Sequence, residues 1–97
     1  MTYNLLVQQE ALEDLQEAFD YYESQQTNLG TVFIQAFQDL ALRIEANPFL
    51  FQPIYNQKRR AIISRFQYNV IYEIEGSNVR VSAIIHGSRN PKRWQNR

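Results

Sequence analysis

The sequence has no cysteine, which excludes disulfides and thiolate metal sites and leaves packing to hold the chain together. Three glycines are too few for a glycine-rich phosphate cradle. With one histidine and no cysteine, neither a metal site nor a bound cofactor is expected. Long hydrophobic runs are missing too: the uncharged stretches are broken by Asn, Gln and Pro, so no membrane-spanning helix and no membrane partner are predicted. Residues 1–10 lack a basic start followed by an apolar stretch, so no export signal is expected and the predicted location is the cytoplasm. A surplus of charge is absent as well, since ten Lys and Arg balance ten Asp and Glu.

What is present reads as an ordinary folded domain. Hydrophobic residues make up 44% and charged residues 21%, which is globular rather than disordered usage. A length of 97 residues accommodates one core, so 1–97 is expected to be a single domain. The neutral total conceals a split. Residues 1–47 hold eight acids and one base, Arg43, while residues 48–97 hold nine bases and two acids, Glu73 and Glu75. Two readings follow: a basic surface for an anionic partner, or acidic helices that face basic strands inside the fold.

Hydrophobic periodicity sets the architecture. Tyr3, Leu5 and Val7 alternate with polar neighbours, as in a short strand. From about residue 9 to 26, Ala11, Leu12, Leu15, Phe19 and Tyr22 recur at helical spacing, with Glu10, Glu13, Asp14 and Glu17 on the other side. Thr27 or Asn28 is expected to cap a second helix striped by Leu29, Phe33, Ala36, Phe37, Leu40 and Ile44, and Asn47-Pro48 ends it. Residues 49–57 contain Pro53 and no clean period, and read as an irregular connection. Strands are expected at 60–64, at 66–75 where Phe66, Tyr68, Val70, Tyr72 and Ile74 alternate with mostly polar residues, and from Val79 through Val81, Ala83 and Ile85. Between the last two lies Glu75-Gly76-Ser77-Asn78, a tight-turn sequence.

The order β-α-α-β-β-β defines an α+β fold: an N-terminal strand, then an antiparallel helical hairpin packed on one face of an antiparallel sheet. The opposite face is expected to present Asn69, Glu73, Arg80 and His86, with Lys58, Arg65 and Arg89 near its rim. The run Lys58-Arg59-Arg60 beside Arg65 suits a phosphate backbone or an acidic partner segment, and equally suits a solvated loop. Trp94, between Arg93 and a polar tail, either stacks on a base or closes the core, the second being the commoner use of a lone aromatic. Glu13 and Glu17 lie on the outer helix face as solvating charge.

At this point the residues resemble a known family. Ala11, Asp14-Leu15 and Tyr21-Tyr22 on the first helix, Asn47-Pro48 after the second, Phe66 to Ile74 in the central strand and His86-Gly87-Ser88-Arg89-Asn90-Pro91 with Trp94 at the end are together similar to the RelE/ParE superfamily of toxins. The closing pattern is nearer the ParE-like branch. The resemblance implies the toxin of a type II toxin–antitoxin pair, held inactive by a cognate antitoxin whose C-terminal segment wraps it as helix or added strand. ParE-like members inhibit DNA gyrase; RelE-like members cleave mRNA on the ribosome as endoribonucleases. The latter chemistry needs cations on the scissile phosphate and an acid–base pair. Arg89 sits where RelE-like toxins place one phosphate-stabilising arginine, and His86 is a candidate acid or base. Asn69 stands where they carry a second arginine, and the Trp94-Gln95 neighbourhood replaces their C-terminal tyrosine. Gyrase inhibition is therefore the preferred expectation, ribosome-dependent cleavage the alternative, and a non-toxic nucleic-acid- or partner-binding module the third. Lys58, Arg59, Arg60, Arg65, Arg80, Lys92, Arg93 and Trp94 are the candidate residues for binding target or antitoxin.

Overall fold

A computed structural model describes residues 2–88, 92–95 and 97, the side chains of Lys92 and Arg93 excepted. Its elements are β1 (Asn4–Val7), α1 (Gln9–Gln25), α2 (Leu29–Ala46), a 3₁₀ turn (Pro48–Leu50), β2 (Gln52–Tyr55), β3 (Lys58–Ile63), β4 (Tyr68–Glu75), β5 (Asn78–His86) and the short α3 (Lys92–Gln95). The five strands form one sheet in the order β1-β5-β4-β3-β2. The α+β fold expected from periodicity is therefore present, with two additions to the sheet.

The first is parallel pairing of β1 with β5, Leu5 beside Val79 and Val7 beside Val81, so the sheet is mixed rather than purely antiparallel. The helical hairpin between β1 and the rest of the sheet supplies the long crossover that a parallel neighbour needs. The second is β2, in the segment read as irregular. Pro53 masked it, because proline cannot donate to a ladder; it is tolerated here because β2 is the outermost strand.

The two helices form as their stripes predict. Ala11, Ala18, Phe33, Phe37, Leu40 and Ile44 are buried against Val70, Tyr72, Val79, Val81 and Ile84 of the sheet. Tyr22, Phe33, Phe66 and Tyr68 make edge-to-face and tilted ring contacts at the open end of this core. The hairpin is tight because of Gly30: a Cβ there would lie 2.8 Å from the Phe19 ring and the Phe19 carbonyl. Asn28 does precede α2, but as a left-handed residue (φ 72°) whose side chain caps nothing. Glu23 does that work, its carboxylate accepting from the Asn28 and Gly30 N–H groups at 2.9 and 3.0 Å. At the other end of α2, the buried Tyr72 hydroxyl donates to the Pro48 carbonyl at 2.6 Å, fixing the 3₁₀ turn onto the central strand. Burial raises the Tyr72 pKa from the ordinary 10.0 to about 12, with nearby Arg59 opposing the shift.

A β-bulge decides which side chains each face receives. The β4–β5 register runs Tyr72 opposite Val81 and Ile71 opposite Ala83, which leaves Ser82 as the extra residue. Before it, Val79 and Val81 point to the helices. After it the parity reverses: Ile84 joins the helix-side core, while Ala83 and Ile85 turn to the other face. There they form a second cluster with Ile71 and Trp94, against which Ile54 packs. Thus the alternation Val79, Val81, Ala83, Ile85, read as one apolar face, serves two.

Candidate functional site

The bulge also moves His86. It lies opposite Tyr68, on the helix side of the sheet, with ring centroids 5.4 Å apart, and not on the open face with Asn69, Glu73 and Arg80. Ser88 N–H donates to His86 Nδ1 at 3.2 Å and the Ser88 hydroxyl stands 2.8 Å from the same nitrogen, so the neutral ring carries its proton on Nε2. His86 borders a groove of about 530 Å³ that also touches Glu17, Tyr21, Tyr22 and Tyr68. The expected placement of His86 on the open face with the strand cations is therefore corrected by geometry, since the sheet stands between them.

On the open face, Lys58, Glu73 and Arg80 lie in one row across β3, β4 and β5. Lys58 Nζ contacts Glu73 Oε1 at 2.7 Å, and its side chain is only 6% exposed. Arg80 reaches Glu73 at 3.4 Å and Glu75 at 2.7 Å. The two acids of the basic half thus engage two of its cations, which are not displayed as free positive charge. Arg59 has its own local role: it points to the helix side, donates to the Phe51 carbonyl at 2.8 Å and sits 5.3 Å over the Phe49 ring. The reading in which acidic helices face basic strands finds no ion pair among the described residues; the one helix acid that is paired, Asp14, meets Arg97 after α3 at 2.5 Å.

What remains available is narrower. Arg60 donates to Gln52 Oε1 at 2.9 Å and borders a shelf of about 270 Å³ together with Asn69, Tyr55, Trp94 and Gln95. Arg65 is exposed beside the Phe66 ring. Trp94 is 8% exposed, packed edge-on to Tyr55 and over the second cluster, which is the core-closing use rather than an open stacking platform. Arg89 lies outside the described residues, as do the side chains of Lys92 and Arg93. The structure therefore brings Arg60, Asn69 and Trp94 together on the open face, with Arg65 at the far end of β3, and places His86 apart. Sequence reasoning missed the helix-side groove, because no alternation pattern announces a bulge.

With this geometry in place, likeness to known proteins is informative. Residues 5–91 match the family described as ParE toxin of type II toxin-antitoxin system, parDE. Toxin ParE2 of Mycobacterium tuberculosis, from strains CDC 1551 / Oshkosh and ATCC 25618 / H37Rv, is 32% identical over 95 residues, covering 94% of this chain and 88% of the relative. A solved chromosomal ParDE toxin–antitoxin system from P. aeruginosa shares the fold with a TM-score of 0.66 at 18% identity, covering 88% of this chain and 96% of that one. The chain belongs to the ParE toxin family of type II toxin–antitoxin systems. A toxin of this type is paired with a cognate antitoxin.

Proposed function

We propose that the chain arrests bacterial growth from the cytoplasm by inhibiting DNA gyrase, and that its antitoxin prevents this. The family match across 5–91 carries the reading. The open face supports a binding mode over phosphodiester cleavage: Asn69 stands in mid-sheet without a cationic side chain, Lys58 and Arg80 are engaged by Glu73 and Glu75, and His86 projects from the other side. No acid–base pair is assembled there among the described residues. Contacts with target or antitoxin fall to Arg60 and Arg65, extended by Lys92 and Arg93, and Arg89 is assigned to the target, with Lys58, Arg59, Arg80 and the buried Trp94 holding the surface in shape.

Induced expression without antitoxin tests the proposal. Growth should stop, plasmid supercoiling should fall, and mRNA ends should remain unchanged. Codon-phased cuts with normal supercoiling would transfer the chain to the ribosome-dependent endoribonucleases, and undisturbed growth with folded protein present would remove the toxic activity altogether. Arg89→Ala should relieve growth arrest while leaving antitoxin affinity within a few fold.

A further inference from the structure

Four rings border the 530 Å³ groove beside α1 in succession. Tyr21 and Tyr22 meet at 74° with centroids 5.2 Å apart, Tyr22 and Tyr68 at 64° and 6.0 Å, and Tyr68 and His86 at 85° and 5.4 Å. Each steep angle makes a corner, so the rings stand as walls rather than as one flat stack. An aromatic face carries the negative side of the ring quadrupole, and walls set at angles let one cation meet more than one face. Core packing does not account for Tyr21, which is 57% exposed.

Charge in the groove has one sign. Among the described residues no lysine or arginine borders it, whereas Asp14 and Glu17 do. The Asp14 carboxylate is already engaged, by Arg97 at 2.5 Å and by the Ile84 N–H at 3.1 Å. Glu17 stands one helical turn before Tyr21, on the same side of α1, and is exposed with no hydrogen-bond or ion-pair partner among the described residues. On the neighbouring turns Glu13 and Asp20 contact only Gln9 and Gln16, so they add to the negative field.

These walls discriminate among cations. A metal ion would need several oxygen ligands to replace its water, and one free carboxylate beside ring faces does not supply them. An alkylated ammonium holds its water weakly, can lay its methyl groups against the tyrosine rings and needs a single counter-ion. The cavity falls in the range of small-molecule pockets, about 300–1,000 Å³.

We infer that this groove binds a small organic cation with an alkylated ammonium head, held against the Tyr21, Tyr22 and Tyr68 rings with Glu17 as its counter-ion. The inference goes beyond the gyrase reading and does not rest on it.

The test is an NMR titration of the full ¹⁵N-labelled chain with choline, with its uncharged carbon isostere dimethylbutanol, and with sodium chloride at matched ionic strength. Choline should shift the amides from Glu17 to Tyr22 saturably with a Kd on the order of 1 mM, and the alcohol should bind about tenfold more weakly. Tyr21→Ala, a surface change, should weaken choline binding about fivefold, while Tyr21→Phe should retain it, because the ring and not the hydroxyl supplies the attraction. Glu17→Gln should weaken it about threefold. No saturable shift with choline, equal binding of the alcohol, the same shifts with sodium chloride, or Tyr21→Phe behaving as Tyr21→Ala would each overturn the inference. Growth arrest is read in a separate experiment, so either proposal can fail alone.

Discussion

Replacing Glu73 by glutamine removes the one carboxylate that contacts Lys58 and leaves an ammonium whose side chain is 6% exposed beside a neutral amide. Breaking a buried pair from one side costs about 3–5 kcal/mol, because the orphaned charge keeps its desolvation penalty. Here the partner is 20% exposed and Arg80 retains Glu75, so a loss of roughly 2–4 kcal/mol is expected. The cost should be asymmetric. Lys58→Met leaves Glu73 with Arg80 and a fairly solvated carboxylate, and should cost no more than about 1 kcal/mol. Lys58→Met combined with Glu73→Leu should return most of the Glu73→Gln loss, since no buried charge then lacks a partner. Urea denaturation followed by circular dichroism and by Trp94 fluorescence measures all three variants. A Glu73→Gln change within about 0.5 kcal/mol of the parent, or a Lys58→Met loss as large as that of Glu73→Gln, would refute the view that this row is structural rather than a displayed basic surface.

Three further outcomes follow from the packing. Gly30→Ala should destabilise by roughly 1–3 kcal/mol, because its Cβ meets the Phe19 carbonyl and ring at 2.8 Å and the hairpin must separate; a neutral result in thermal melts would mean the helices adjust freely. Tyr72→Phe should cost about 1–3 kcal/mol by orphaning the Pro48 carbonyl. Because the folded protein holds the Tyr72 proton to about pH 12 and the unfolded chain releases it near 10.0, the tyrosine's contribution is complete below pH 10 and is lost as pH rises toward 12; the variant should lack that part of the alkaline decline. Trp94→Ala should uncover Ile71, Ala83 and Ile85, lower stability by roughly 3 kcal/mol and raise binding of a hydrophobic dye, whereas unchanged dye binding would show that α3 does not seal this face.

The parts legible in the sequence were those whose side chains follow one unbroken period. The stripe Phe33, Phe37, Leu40, Ile44 and the alternation Tyr68, Val70, Tyr72, Ile74 each map onto one face of one element, so reading and structure agree. In β5 the pattern stayed regular while the backbone did not: apolar residues occur at 79, 81, 83 and 85, yet Ser82 reverses the facing halfway, and both sides of the sheet are apolar enough to accept them. His86 was misplaced for that reason alone. Charge counting failed differently, because two acids in the basic half were enough to engage Lys58 and Arg80, and composition cannot say who pairs with whom. The core-closing use of Trp94, favoured on general grounds, is the one the structure shows.

The adjacency of β1 and β5 reaches beyond stability. Sheet completion joins the first strand to the last, so a chain emerging from the ribosome cannot close its sheet until β5 is free, and assembly must span almost the whole polypeptide. During synthesis the helical hairpin can form early, since its contacts are local, but the surfaces assembled by β4, β5 and the tail cannot exist yet. A nascent chain therefore lacks its completed sheet until translation is nearly finished, whatever its helices have already formed.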